Sequence, residues 1–113
     1  MIILGIDPGT TRIGVGIIKK DKNKISCLYY GLIKNPSLAL ITDEISQLIN
    51  KYKPDVAAVE KLFFFKNQKT IISVSEMRGA ILAALAVQGV PVQEYTPLQV
   101  KQAVSGYGRS GKN

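Results

Sequence analysis

Ile2-Ile3-Leu4-Gly5-Ile6-Asp7-Pro8-Gly9-Thr10-Thr11 is the stretch on which the reading of this chain turns. Its apolar run is β-branched on both alternating faces, the pattern of a central strand covered on each side. The run ends on Asp7, and Pro8-Gly9 then suits a tight turn, because Pro presets φ and Gly relieves steric strain. A carboxylate closing what should be the most buried strand needs company, since charged groups are almost never fully buried unless paired or bound to a metal. Asp7 is therefore expected to have either a local hydrogen-bonding role or an ion beside it.

Working outward, Ile13 to Ile18 reads as a second strand whose Gly14 and Gly16 permit close backbone packing. Lys19 to Lys24 is a polar, basic hairpin tip and Ile25 to Ile33 a third strand, so the chain opens with an antiparallel meander. Ser37 is a reasonable N-cap, and Leu38, Ile41, Ile45, Leu48, Ile49 and Tyr52 recur at helical spacing, which predicts an amphipathic helix from Leu38 to Tyr52. Lys53-Pro54 ends it. Asp55 to Glu60 is a short buried strand reached by a helical crossover, hence parallel to its neighbour, and it carries a second isolated carboxylate at its end.

Phe63-Phe64-Phe65 follows directly, and a packed strand cannot hide three adjacent rings on one face, so at least one should be exposed. Asn67 suits the cap of a long helix running to Val87, with Gly89 as its stop. Apolar positions nearly encircle its second half, Ala80 to Val87, which suggests one face on the sheet and another on a partner chain. Glu76 on this helix reads first as a surface acid in an ion pair, with a place near the site as the alternative. Pro91 to Tyr95 is a short fifth strand, Pro97 to Val104 a short helix, and Ser105 to Asn113 a Gly-rich basic stretch. The order β-β-β-α-β-α-β-α predicts an α/β fold: a mixed five-stranded sheet, three strands antiparallel and then two parallel, with helices on both faces. Ligands in such sheets gather beyond the carboxyl ends of parallel strands, which places Asp7 and Glu60 side by side.

The 113 residues are 46% hydrophobic, enough for one compact domain. Fifteen Lys+Arg against eight Asp+Glu give a formal charge of +7, and the pI near 9.6 is the footprint of a protein with a polyanionic partner. Cys27 is the only cysteine, which excludes an intramolecular disulfide, and its apolar surroundings predict a buried thiol in a reducing compartment. There is no histidine, so carboxylates are the available hard-metal ligands. With no basic leader and no run of about 18 consecutive apolar residues, the expectation is a cytoplasmic protein that does not engage a membrane.

Two carboxylates converging from adjacent strand ends form a hard oxygen site suited to Mg²⁺, with Mn²⁺ as the alternative. In a two-metal site the ions activate a water and stabilise the leaving oxygen of an in-line phosphodiester displacement, and such sites usually hold one or two further carboxylates. At this point the residues resemble a known family. Leu4-Gly5-Ile6-Asp7-Pro8-Gly9, Val59-Glu60-Lys61-Leu62-Phe63, Arg78-Gly79, Tyr95, and Val100-Lys101-Gln102 followed by Gly106-Tyr107-Gly108 and Lys112 are similar to RuvC-type crossover-junction endodeoxyribonucleases. The resemblance covers essentially the whole chain.

What it implies is a ribonuclease H-like fold and a homodimeric, Mg²⁺-dependent enzyme that nicks four-way Holliday junctions in recombination and repair, with a branch-migration motor complex as a further partner. Asp7 and Glu60 fall on two of the family's four metal-binding acidic positions and are the expected catalytic pair. Phe63 falls on the aromatic that stacks on bases near the opened junction, and Lys101 and Lys112 on basic positions that handle the DNA strand. The helix bearing Arg78 and Gly79 resembles the dimer-forming helix. Family members carry their remaining two acids on a final helix, and no acid follows Glu94. The expectation is thus one resolvase domain over residues 1–113 that lacks its C-terminal helix.

Two other classes compete. A non-catalytic junction-binding chain would need only the Lys and Phe contacts. Gly5 to Thr11 also resembles the phosphate hairpin of the actin, sugar-kinase and heat-shock ATPase superfamily, which needs two such domains, and the opening of YqgF-type nuclease-like proteins, which match the Phe63 and Lys101 segments poorly.

Overall fold

The computed structural model describes residues 1–9, 11–61 and 68–95. The predicted helix at 97–104, the aromatic triplet, Thr10, Lys101 and Lys112 lie outside the described residues. The elements run β1 (Ile2–Pro8), β2 (Arg12–Asp21), β3 (Lys24–Lys34), α1 (Leu38–Tyr52), β4 (Val56–Glu60), α2 (Gln68–Val87) and β5 (Val92–Tyr95). They form one sheet of order β3-β2-β1-β4-β5, with β1 central as its apolar run demanded. β1–β2 and β2–β3 are antiparallel, and β1–β4 and β4–β5 parallel.

Local chemistry sets the element ends. Gly9 N–H donates to Arg12 O at 2.9 Å to close the β1–β2 turn, and a Cβ at Gly9 would lie 2.4 Å from that same oxygen. Only glycine fits there. Ser37 caps α1 with its Oγ accepting from Leu40 N–H at 3.0 Å, and Lys53 ends the helix in the left-handed region at φ 52°. Gly89, at φ 73°, closes α2 in a Schellman arrangement. Gly89 N–H donates to Ala86 O and Val90 N–H to Leu85 O, while Val90 turns into the core.

Both described helices cover the same face. Each connection, β3 to β4 and β4 to β5, moves in one direction across the sheet, and right-handed crossovers of that kind stay on one side. Leu4 and Ile6 of β1, Val15 and Ile17 of β2, and Ala57 and Val59 of β4 meet Ile41, Ile45 and Leu48 of α1 and Ile81 and Leu85 of α2 in a single core. Fully burying such a side chain is worth about 1.5–3 kcal/mol, so this face holds the fold together. The expectation of helices on both faces is met, among the described residues, on one face only. The other presents Ile3, Gly5, Gly14, Gly16, Ile18 and Ala58, with Tyr30 and Leu32 exposed beside them.

That open face corrects two sequence expectations. Asp7 is exposed rather than buried, because it alternates with Ile6 and Pro8 and so points away from the helices. Cys27 is exposed rather than core. Its strand is at the sheet edge, and the register slips between Ile17, which pairs with Tyr29, and Ile18, which pairs with Cys27. The slip puts Cys27 on the open face with Ile18. Thr70–Val87 is long and apolar enough, by length and composition, to cross a bilayer; here Val74, Ile81, Ala84 and Leu85 of that stretch are buried against the rest of the fold.

Candidate active site

The parallel pair β1–β4 is pinned at its start. Asp55 N–H donates to Ile2 O at 2.8 Å, and Ile2 N–H donates to Asp55 Oδ2 at 2.7 Å. From there the register runs Ile3 with Val56, Gly5 with Ala58 and Ile6 with Val59. A slip of one residue would turn Glu60 to the helix side, so this clamp decides that Asp7 and Glu60 share the open face. At the far end their carboxyls line the same cleft, close enough for each to act on the other's ionisation.

Such a contact requires a shared proton or a cation when both groups would otherwise be ionised. The Glu60 carboxyl is held above its ordinary value by partial burial first, then by its interaction with the Asp7 side chain, and then by the like charge of Asp7. The pair stands in a cleft of about 370 Å³. Gly5, Gly14, Gly16 and Ala58 form its floor, and Tyr95 of β5 lines it beside Glu60. The floor is nearly bare backbone for a reason: a Cβ on Gly14 would already sit 3.6 Å from Asp7 Cβ, so any longer side chain would occupy the space in front of the carboxylates.

Two acidic oxygen donors, no imidazole and no thiolate make a donor set for a hard divalent cation, and the residues present fit that ion. Among the described residues no third His, Cys, Asp or Glu joins them. Glu76 is exposed on α2. Glu94, on the helix side of β5, is paired instead with Arg78 of α2. Arg78 Nε is buried without a partner among the described residues. A second cleft of about 380 Å³, lined by Lys61, Ser75, Arg78, Gly79, Leu82 and Glu94, lies on that side.

Of the sequence-predicted site residues, the structure brings Asp7 and Glu60 together. Phe63, Lys101 and Lys112 lie outside the described residues. Sequence reasoning gave Gly14 only close backbone packing and quoted Tyr95 only among the residues of the family resemblance, and placed neither at the site. The signal for Tyr95 was available in principle: aligning Glu60 with the last residue of the next parallel strand puts the ring beside the carboxylate.

A family model for crossover junction endodeoxyribonuclease RuvC matches residues 3–113. The chain belongs to the RuvC family. It is 49% identical to the family member of Petrotoga mobilis, over 99% of this chain and 73% of that one. It is 49% identical to that of Halothermothrix orenii, over 100% and 73%. Among solved structures, Thermus thermophilus RuvC in complex with a Holliday junction substrate superposes with a TM-score of 0.86 at 30% identity, covering 93% of this chain and 72% of that one. Family membership accounts for the mixed open sheet, in which β1 and β4 carry Asp7 and Glu60 at their carboxyl ends.

Proposed function

We propose that this chain is an endonuclease that nicks four-way DNA junctions, and that Asp7 and Glu60 hold the divalent cation, Mg²⁺ or Mn²⁺, on which hydrolysis depends. The observation that carries this reading is the meeting of Asp7 and Glu60 at the ends of adjacent parallel strands, above a floor of three glycines and the Ala58 methyl that leaves room for a backbone phosphate. The cation supplies Lewis acidity and a water of lowered pKa for attack on phosphorus. Asp7 and Glu60 bind and orient it, and Gly14 keeps the approach clear. The formal charge of +7 supports a polyanionic substrate. Phe63 is assigned to stacking on an unpaired base, and Lys101 and Lys112 to phosphate contacts.

The same reading takes the protein as a cytoplasmic homodimer working with a branch-migration motor. Dimerisation through α2 is supported by its unpartnered apolar side chains, Ile72 at 59% and Val87 at 85% exposure. Two sites would then act on opposing strands.

One observation favours the runner-up, junction binding without cleavage: only two carboxylates converge among the described residues. A gel-shift run beside a nicking assay on synthetic four-way junctions and linear duplex in Mg²⁺ separates the two. Nicking confined to the junction, lost in Asp7→Asn with binding retained, is the expected result. Tight binding with no nicking by the parent chain would overturn the enzymatic reading.

A further inference from the structure

β5 presents two polar side chains to the cleft side of the sheet. Its register places Gln93 beside Ala58 and Tyr95 beside Glu60, while Val92 and Glu94 alternate toward the helices. The strand is held from both directions. Ala57 N–H donates to Pro91 O at 2.8 Å and Lys61 N–H donates to Tyr95 O, and on the helix side Arg78 grips Glu94. Gln93 and Tyr95 thus stand on a backbone fixed relative to Glu60.

Neither side chain is used by the core. Tyr95 is 38% exposed and does not belong to the hydrophobic cluster, yet it lines the cleft with Asp7 and Glu60. Its hydroxyl donates to Gln93 Oε1 at 2.9 Å. That bond takes up the amide oxygen, so the Gln93 NH₂, with two donors, is the end left to face outward. The ring is held by the same bond in one orientation. An aromatic face and a neutral donor beside two carboxylates are suited to a nucleotide: the ring offers a π-surface, and an amide binds a phosphate oxygen without competing as a cation for Asp7 and Glu60.

We propose that Tyr95 and Gln93 form a nucleotide-positioning pair, in which the Tyr95 ring stacks on the base next to the cleaved phosphodiester and the Gln93 amide donates to a phosphate oxygen of that strand. This rests on the junction-DNA reading above and goes beyond it by assigning how the cut strand is aligned with the carboxylates. Both are positioning residues, since neither exchanges a proton or bond in the reaction.

The test uses four-way junctions with 2-aminopurine beside the cleavage site. Fluorescence quenching on binding in EDTA reports stacking, and single-turnover nicking in Mg²⁺ at saturating protein reports alignment. Tyr95→Leu is expected to lose the quenching, to bind the junction about 5- to 100-fold more weakly, the range that one aromatic–base stack supplies, and to nick about 10-fold more slowly at saturating protein because the strand is no longer aligned with the carboxylates. Tyr95→Phe keeps the ring but loses the bond to Gln93, and is expected to keep quenching while nicking about fivefold more slowly, as Gln93→Leu does. Gln93→Leu should slow nicking about fivefold, the worth of one ordinary hydrogen bond, with quenching retained.

Parent-like quenching and nicking by Tyr95→Leu would overturn the proposal while leaving the nuclease reading intact. A parent that binds and quenches but does not nick would sink the nuclease reading, and loss of quenching in Tyr95→Leu would still support the stacking role. A parent that does not bind junctions overturns both.

Discussion

Replacing Glu60 by Gln should make the cation-free protein more stable at neutral pH, although it removes a residue of the site. With no cation between them, Asp7 and Glu60 bring like charges side by side, and the Glu60 carboxyl is accordingly raised above its ordinary value of 4.5 by burial, by its interaction with the Asp7 side chain and by the neighbouring charge. The native state then holds a proton at pH values where the unfolded chain has released it. Stability therefore falls as pH rises through this window, and the penalty is full above the folded pKa and absent well below 4.5. Two unit charges about 4 Å apart repel by about 1 kcal/mol at the dielectric of water and about 4 kcal/mol at an effective dielectric of 20. The cleft is open to solvent and salt, so the lower figure applies, reduced further by screening to about 0.5–1 kcal/mol. Gln also keeps a donor for Asp7. For a chain of this size the gain corresponds to a rise in Tm of about 2–5 °C at pH 7 in EDTA, vanishing toward pH 4.

A divalent cation should reverse the ranking. Bound to both carboxylates at a concentration 100 times its Kd, it stabilises the parent by about 2.7 kcal/mol, and the variant by much less. Thermal melts by circular dichroism from pH 4 to 8, in EDTA and in Mg²⁺, read both effects. A variant less stable than the parent at pH 7 in EDTA, or one that gains as much from Mg²⁺ as the parent does, would refute the reasoning.

Other outcomes follow from the same geometry. Ser37→Ala removes the Leu40 N–H acceptor at the start of α1 and should cost about 1 kcal/mol in urea denaturation, with no change in junction affinity. Gly9→Ala drives a Cβ to 2.4 Å from Arg12 O and must open the β1–β2 turn; nicking should fall more steeply than Tm, because Asp7 is only two residues away. Leu85→Ala, at a fully buried position under the sheet, should cost about 2–5 kcal/mol, visible as a lower urea midpoint with an unchanged m-value. Lys101→Ala should reduce the slope of log K against log salt for junction binding by about 0.9; an unchanged slope would remove Lys101 from the phosphate contacts.

Most of the fold is legible in the sequence. The period-3.6 pattern of Ile41, Ile45, Leu48 and Ile49, the Ser37 cap and the Lys53-Pro54 stop located α1 at its observed limits, because each acts within a few residues. The same holds for the meander, whose turns are built from Gly9 and the basic tip, and for Gly89 at the end of α2. Asp7 and Glu60 could be paired in advance because a helical crossover dictates a parallel neighbour, and a parallel neighbour aligns strand ends.

The burial of Asp7 and Cys27 was not legible. Alternation says which residues share a face, but only the packed helices decide which face is covered, and both crossovers put them on the side of Leu4 and Ile6. The Arg78–Glu94 pair joins residues 16 apart, and the Tyr95–Gln93 bond depends on which way an edge strand faces. By itself the sequence determined the elements, the family and the two carboxylates, since these are set by local chemistry and by chain order. Tertiary structure alone decided what surrounds the carboxylates, a glycine floor and a tyrosine wall, because neighbours across a sheet are fixed by register and by the face that the helices leave open.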